Sequence, residues 1–141
     1  MRCEEVMKRD VQCTTLQDSV QLAAQRMASE NVGFLPVCDE WGTVLGTVTD
    51  RDLTLRVIAH GRPADTLIAD VFTHEVVACR PDDDLYDAQA MMARHHKSRI
   101  MCVDERNRLV GVISLSDVAQ QSSEARAART LRQISEREAR A

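Results

Sequence analysis

The chain repeats itself. Shifted by 65 residues, its first half lies over its second without a gap. Val6 falls on Val71, Val11 on Val76, Asp18 on Asp83, Ala23 on Ala88, Met27 on Met92 and Ala28 on Ala93. The same register carries Asp39-Glu40 onto Asp104-Glu105, Gly46 onto Gly111 and Asp52 onto Asp117. A unit found twice, and only twice, points to a closed pair of like units and not to an open solenoid.

Each copy has the same internal order. A short extended piece, Val11-Gln12-Cys13 or Val76-Val77-Ala78, leads into a polar cluster whose Asp18-Ser19 or Asp82-Asp83-Asp84 suits a helix start. An amphipathic helix follows, with Val20, Ala23, Ala24 and Met27, or Leu85, Ala88, Met91 and Met92, on one stripe. Two strands come next, Phe34 to Cys38 then Thr43 to Thr49, or Ile100 to Val103 then Leu109 to Ser114. The turn signals Asp39-Glu40-Trp41-Gly42 and Asp104-Glu105-Arg106-Asn107 separate them. A last helix opens near Asp52 or Asp117. The expected fold class is α/β of the α+β type, with β-α-β-β-α order run twice. The expected boundaries are repeat 1 at 1–60, a linker at 61–70, repeat 2 at 71–121 and a helical tail at 122–141. One copy cannot bury both faces of so small a sheet, so the copies are expected to pack on each other. Each fully buried Val or Leu there is worth about 1.5–3 kcal/mol.

Composition narrows the function classes. The chain is 44% hydrophobic but only 3% aromatic, so aliphatic residues and Met must build the core. The net charge is −4 and no long basic run is present, which argues against a nucleic-acid partner. No apolar leader follows Met1, and no stretch approaches membrane-spanning length, so a cytoplasmic protein without membrane association is expected. The five cysteines (Cys3, Cys13, Cys38, Cys79 and Cys102) form no CxxC and fit reduced thiols.

The chemistry concentrates after the second strand of each copy. There stand Gly46-Thr47-Val48-Thr49-Asp50-Arg51-Asp52 and Gly111-Val112-Ile113-Ser114-Leu115-Ser116-Asp117. Glycine permits close approach of a ligand to the strand. The hydroxyl of Thr49 or Ser114 can donate to a phosphate or accept from a sugar. The carboxylate of Asp52 or Asp117 can take two sugar hydroxyls at once, a common way to hold ribose. The helix beginning there adds free N–H groups. A capping box, with Thr49 or Ser114 as N-cap and the aspartate three residues on, accounts for the same residues. The two readings are compatible.

This repeat, ending in G-h-x-[S/T]-x-x-D, resembles the cystathionine-β-synthase (CBS) domain family over about residues 3–121. The resemblance implies a Bateman module, with two pseudo-symmetric clefts between its repeats. Such clefts take AMP, ADP, ATP, NAD(H), S-adenosylmethionine or related adenosine ligands, and no further cofactor is required. It places ribose and phosphate contacts on Thr49/Asp52 and Ser114/Asp117, with Arg51 and Cys13 beside them. By similarity to the family's kinase γ subunits, Arg99 reaches a ligand phosphate. Phe34 holds the equivalent place in the first copy and offers an adenine a flat wall without charge. The resemblance further implies a regulatory homodimer acting on a downstream protein that the sequence does not name.

Weaker signals have plainer explanations. His95-His96 lacks the third and fourth ligands that zinc wants. Cys38 and Cys102 lie on equivalent strands one residue out of register, as do Cys13 and Cys79. A thiol-based redox sensor is therefore one alternative, although buried cysteine commonly acts as a small hydrophobe. A structural dimerisation module whose motifs only cap helices is the other. No nucleophile–base arrangement, P-loop or Rossmann glycine pattern supports an enzyme. The tail places Ala128, Leu131 and Ile134 on one stripe and alternates Arg126, Arg129, Arg132, Arg137 and Arg140 with Glu124, Glu136 and Glu138, as a solvated helix does.

Overall fold

The computed structural model describes residues 1–121 and 124–140, with the side chains of 124, 125, 127 and 137–140 left aside. The chain forms two compact units, Gln12–Val76 and a composite of Met1–Val11 with Val77–Ala141.

In the unit Gln12–Val76, helix α1 (Val20–Glu30) is followed by strands β1 (Phe34–Cys38) and β2 (Val44–Thr49) and helix α2 (Asp50–Arg56). Ser19 caps α1 by accepting the Leu22 N–H at 3.1 Å, and the helix stops at Asn31, whose φ of 54° ends the ladder. Strands β1 and β2 pair antiparallel, with Phe34 opposite Thr49 and Val37 opposite Gly46. Asp39 makes the turn between them, its Oδ1 accepting the N–H groups of Trp41 and Thr43, both at 2.9 Å. Val20, Ala23 and Met27 of α1 pack with Leu35, Val37, Val48, Leu53 and Ile68 in one apolar core. Ala24, expected on the buried stripe, is exposed. Its register partner Gln89 in the second copy is buried.

The composite unit repeats this plan. Strand β3 (Ala78–Cys79) pairs parallel with β4 (Arg99–Val103), which pairs antiparallel with β5 (Leu109–Ser114). Helices α3 (Leu85–His95), α4 (Leu115–Gln121) and α5 (Glu124–Arg140) complete it. Asp84 caps α3 through the Tyr86 N–H at 2.8 Å, and His96 ends it with φ 54°, as Asn31 ends α1. Asp104 and Asn107, the latter at φ 61°, form the turn that Asp39 and Gly42 form in the first copy. The first extended piece pairs one residue later than expected in both copies. Thr14 bridges to Val37, and Cys79 faces Cys102.

Helix α5 packs against α3 and α4. The expected tail stripe is corrected here, because Ile134 and Thr130 are buried while Leu131 and Ala128 are exposed. The i, i+4 pair Thr130–Ile134 faces α3, and the Thr130 hydroxyl donates to the Arg126 carbonyl within the helix, which lets it be buried. The side chains of Arg137, Arg140, Glu124 and Glu138 lie outside the described residues.

Each unit is completed by the segment that precedes the other repeat. In the composite unit Lys8 forms a two-bond bridge with Val112 on β5, at 2.9 and 3.0 Å. In the unit Gln12–Val76, Thr73 forms the equivalent bridge with Thr47 on β2, at 2.8 and 2.9 Å. These lead-in segments explain the motif glycines and correct the expectation that a ligand uses their space. A side chain at Gly46 would strike the Thr73 carbonyl and the Phe72 ring, and one at Gly111 would strike Met7. The glycines admit the chain's own backbone and side chains.

Candidate functional site

The motif residues gather at one end of each small sheet. In the unit Gln12–Val76, Thr49 ends β2 in extended conformation and caps α2. Its Oγ1 accepts the Asp52 N–H at 3.1 Å, and its own N–H donates to Asp52 Oδ2 at 3.0 Å. The capping box expected from the sequence is therefore formed, with Asp in place of the usual Glu or Gln at the start of α2. Thr73, from the lead-in segment, adds its hydroxyl to Oδ2 at 3.4 Å. The other oxygen, Oδ1, faces Arg56 Nη2 at 3.8 Å.

The composite unit builds the same arrangement from Ser114 and Asp117. The Ser114 N–H donates to Asp117 Oδ2 at 2.9 Å, and the Asp117 N–H donates to Ser114 Oγ at 3.2 Å. The Ser114 hydroxyl also reaches Oδ2, at 2.8 Å, and lies 2.8 Å from Ser116 Oγ. Oδ1 again faces a cation, here Lys8 Nζ at 3.9 Å. Both carboxylates are mostly covered, at 16% and 14% side-chain exposure, whereas Arg56 and Lys8 keep 45% and 72%. Ion pairs of this length and exposure contribute little stability. What they provide is positive charge within reach of a second carboxylate oxygen that the cap does not use.

Strand register brings in two more of the expected residues. Arg99 begins β4 directly opposite Ser114, and Phe34 begins β1 directly opposite Thr49. Opposed residues of an antiparallel pair share a sheet face, so each hydroxyl has a neighbour of different character. One is a guanidinium and the other a phenyl ring. Arg51 lies in the first turn of α2, exposed, its N–H bonded to Asp50 Oδ1 at 2.9 Å. Cys13 is not brought to the motif of its unit. Its sulfur lies against that of Cys38, at the end of β1 opposite to Phe34.

Three groups around the carboxylates were not anticipated: Lys8, Thr73 and Arg56. Arg56 was visible in principle as the i+4 partner of Asp52. Lys8 and Thr73 occupy equal repeat positions, but nothing local ties them to residues so distant in the chain. Among the described residues no group of three or more His, Cys, Asp or Glu is placed to hold a metal ion. His96 instead pairs through Nδ1 with the Gln133 carbonyl at 2.7 Å. No described helix is long and apolar enough to cross a membrane.

Comparison with known proteins agrees with the repeated fold. The family model described as "CBS domain" matches residues 3–58 and 68–124. The chain is 37% identical over 116 residues to the CBS domain-containing protein YhcV of Bacillus subtilis, covering 82% of this chain and 81% of that one. Its fold is similar to that of a conserved CBS domain protein from Thermoplasma acidophilum, with TM-score 0.81, 25% identity and coverage of 94% and 75%. It is also similar to the CBS domain pair of protein MJ0100, solved with 5′-methylthioadenosine and S-adenosyl-L-methionine. There the TM-score is 0.74, the identity 21% and the coverage 86% and 94%.

Proposed function

The chain belongs to the CBS domain family, and from that premise we propose that it is a regulatory module that binds an adenosine-containing ligand. The observation that carries this reading is the division of labour in both carboxylates. Oδ2 of Asp52 and of Asp117 serves the helix cap, while Oδ1, among the described residues, faces a cation near 4 Å. That oxygen takes the ribose hydroxyls, and the hydroxyl of Thr49 or Ser114 contributes at the phosphate side. Arg99, on the face of Ser114, neutralises a phosphate. Phe34, on the face of Thr49, stacks on a base. The two motifs therefore differ in preference, with Ser114–Asp117 the more suited to a charged nucleotide. The ligands of the similar CBS pair, 5′-methylthioadenosine and S-adenosylmethionine, share the adenosine part that these residues address. Ligand occupancy biases a homodimer that another protein reads, a coupling typically of about 1–3 kcal/mol.

The test is native mass spectrometry of the purified protein, then thermal shift against AMP, ATP, NADH and S-adenosylmethionine. An adenosine ligand that raises the melting temperature is expected, because it binds the folded state preferentially. Asp52→Asn with Asp117→Asn keeps an oxygen for each cap and should abolish the shift with the fold intact. The fully formed capping boxes favour a second reading, a structural module without ligand. That reading gains the ground if no compound in the panel shifts the protein.

A further inference from the structure

The five cysteines, all reduced, form two sets that the repeat makes comparable. In the unit Gln12–Val76 the Cys13 and Cys38 sulfurs lie 3.4 Å apart. Main-chain bonds clamp the two segments together on either side, Thr14 N–H to the Pro36 carbonyl and Cys38 N–H to the Thr14 carbonyl, both at 2.9 Å. Arg26 donates to the Cys13 carbonyl at 3.1 Å and to Asp18 Oδ2 at 2.6 Å, so a guanidinium is fixed beside the pair. Cys13 is half-buried, and Cys38 is 3% exposed. In the composite unit Cys79 and Cys102 are as close, 3.3 Å, with Cys3 against them. That set is closed, with Cys3 and Cys102 at 0% and Cys79 at 4% exposure, and the charges bearing on Cys3 are the carboxylates of Asp83 and Asp84.

We propose that Cys13 and Cys38 are a modification site, a dithiol that a hydroperoxide converts reversibly to a disulfide while the second set stays reduced. The sulfurs need to close from 3.4 Å to about 2.05 Å, and the main-chain bonds Thr14 N–H to Pro36 and Cys38 N–H to Thr14 already hold the two segments side by side. Cys13 is the attacking group. The Cys38 S–H donates to it and lowers it, burial opposes this, and Arg26 lowers it further. Cys38 is pushed up by the same hydrogen bond and by burial, and therefore keeps its proton. Cys79 is likewise pushed up, by its hydrogen bonds with Cys102 and Cys3 and by burial. Cys3, which accepts from the Cys102 and Cys79 thiols, is lowered but has no exposed surface.

The chemistry balances. The Cys13 thiolate attacks one oxygen of hydrogen peroxide, the O–O bond breaks and hydroxide leaves, giving a sulfenic acid. The Cys38 sulfur then attacks the Cys13 sulfur. The S–S bond forms, the S–O bond breaks, and the departing hydroxide takes the Cys38 proton as water. The hydroxide from the first step takes up the proton that Cys13 released on ionising, so two thiols lose two electrons and one peroxide becomes two waters. The product ties the lead-in of α1 to the end of β1 across a 25-residue separation, so it restrains the unfolded chain and raises the melting temperature of this unit by several degrees.

The experiment treats the reduced full-length protein with stoichiometric hydrogen peroxide, blocks free thiols with an alkylating agent and maps the peptides. Alkylated cysteines should fall from five to three, with the peptides of Cys13 and Cys38 joined, and return to five after dithiothreitol. Cys38→Ser should stop at a sulfenic acid that dimedone traps on Cys13, and Cys13→Ser should leave all its thiols free. A Cys79–Cys102 linkage formed first, or five free thiols after peroxide in the wild-type protein, would overturn the proposal. The wild-type mapping decides the matter even if a variant folds poorly.

Discussion

Replacing Gly46 with alanine should cost much more than the same change at its repeat partner, Gly111. A methyl group on Gly46 would run into the Thr73 carbonyl oxygen and lie 2.8 Å from the Phe72 ring. That carbonyl is one half of the bridge in which Thr47 N–H bonds Thr73 at 2.9 Å and Thr73 N–H bonds Thr47 at 2.8 Å. The lead-in segment can retreat only by giving up both bonds. Two backbone bonds at about 1 kcal/mol each, with part of the burial of Phe72, set the loss at about 2–4 kcal/mol. At Gly111 the methyl group meets Met7, its Sδ at 2.6 Å, Cγ at 2.8 Å and Cβ at 3.0 Å. Met7 is unbranched, so Sδ and Cγ can turn aside and only its Cβ needs a small backbone shift; the cost there should be about 1 kcal/mol. Urea unfolding followed by circular dichroism measures both. The difference corresponds to roughly 3–10 °C in melting temperature for a chain of this size. Equal losses, or a larger loss at Gly111, would refute the claim that a backbone obstacle in one unit and a side-chain obstacle in the other decide the outcome.

Other expectations follow from single contacts. Burial tends to raise the Asp18 carboxyl, but the Thr15 N–H, the Arg26 guanidinium and the Thr14 hydroxyl outweigh it and hold the group below the usual carboxylate range. A carboxyl lower in the folded than in the unfolded state stabilises above its unfolded value, and the gain is lost as pH falls through the folded value. Stability measured from about pH 5 down to pH 2 should thus fall more steeply for the wild type than for Asp18→Asn, and parallel slopes would count against this network. Ile134→Ala should cost about 2–3 kcal/mol, because Ile134 is 5% exposed and joins α5 to the composite core. Leu131→Ala, at 51% exposure, should stay within about 0.5 kcal/mol in the same unfolding assay.

Much of the fold was legible in the sequence by itself, and the legible parts share a cause. The turn aspartates, Asp39 and Asp104, and the caps, Ser19, Asp84 and Thr49, bond backbone groups within four residues of themselves. Interactions of that range are written in local residue order, and the repeat wrote them twice. The strands Phe34–Cys38 and Leu109–Ser114 and the tail helix were readable for the same reason. The motif hydroxyls and carboxylates were legible too, but not the groups that surround them. That Lys8 comes to Asp117, Thr73 to Asp52, and Cys13 to Cys38 was decided by tertiary structure. So was the use of Gly46 and Gly111, which make room for the chain itself. Ala24 exposed with Gln89 buried, and Ile134 buried with Leu131 exposed, show the same limit, since a helical stripe gives a periodicity and not the neighbour it faces. Pairing between distant segments depends on which surfaces remain to be covered once the local elements have formed, and residue order along one element carries no record of the other.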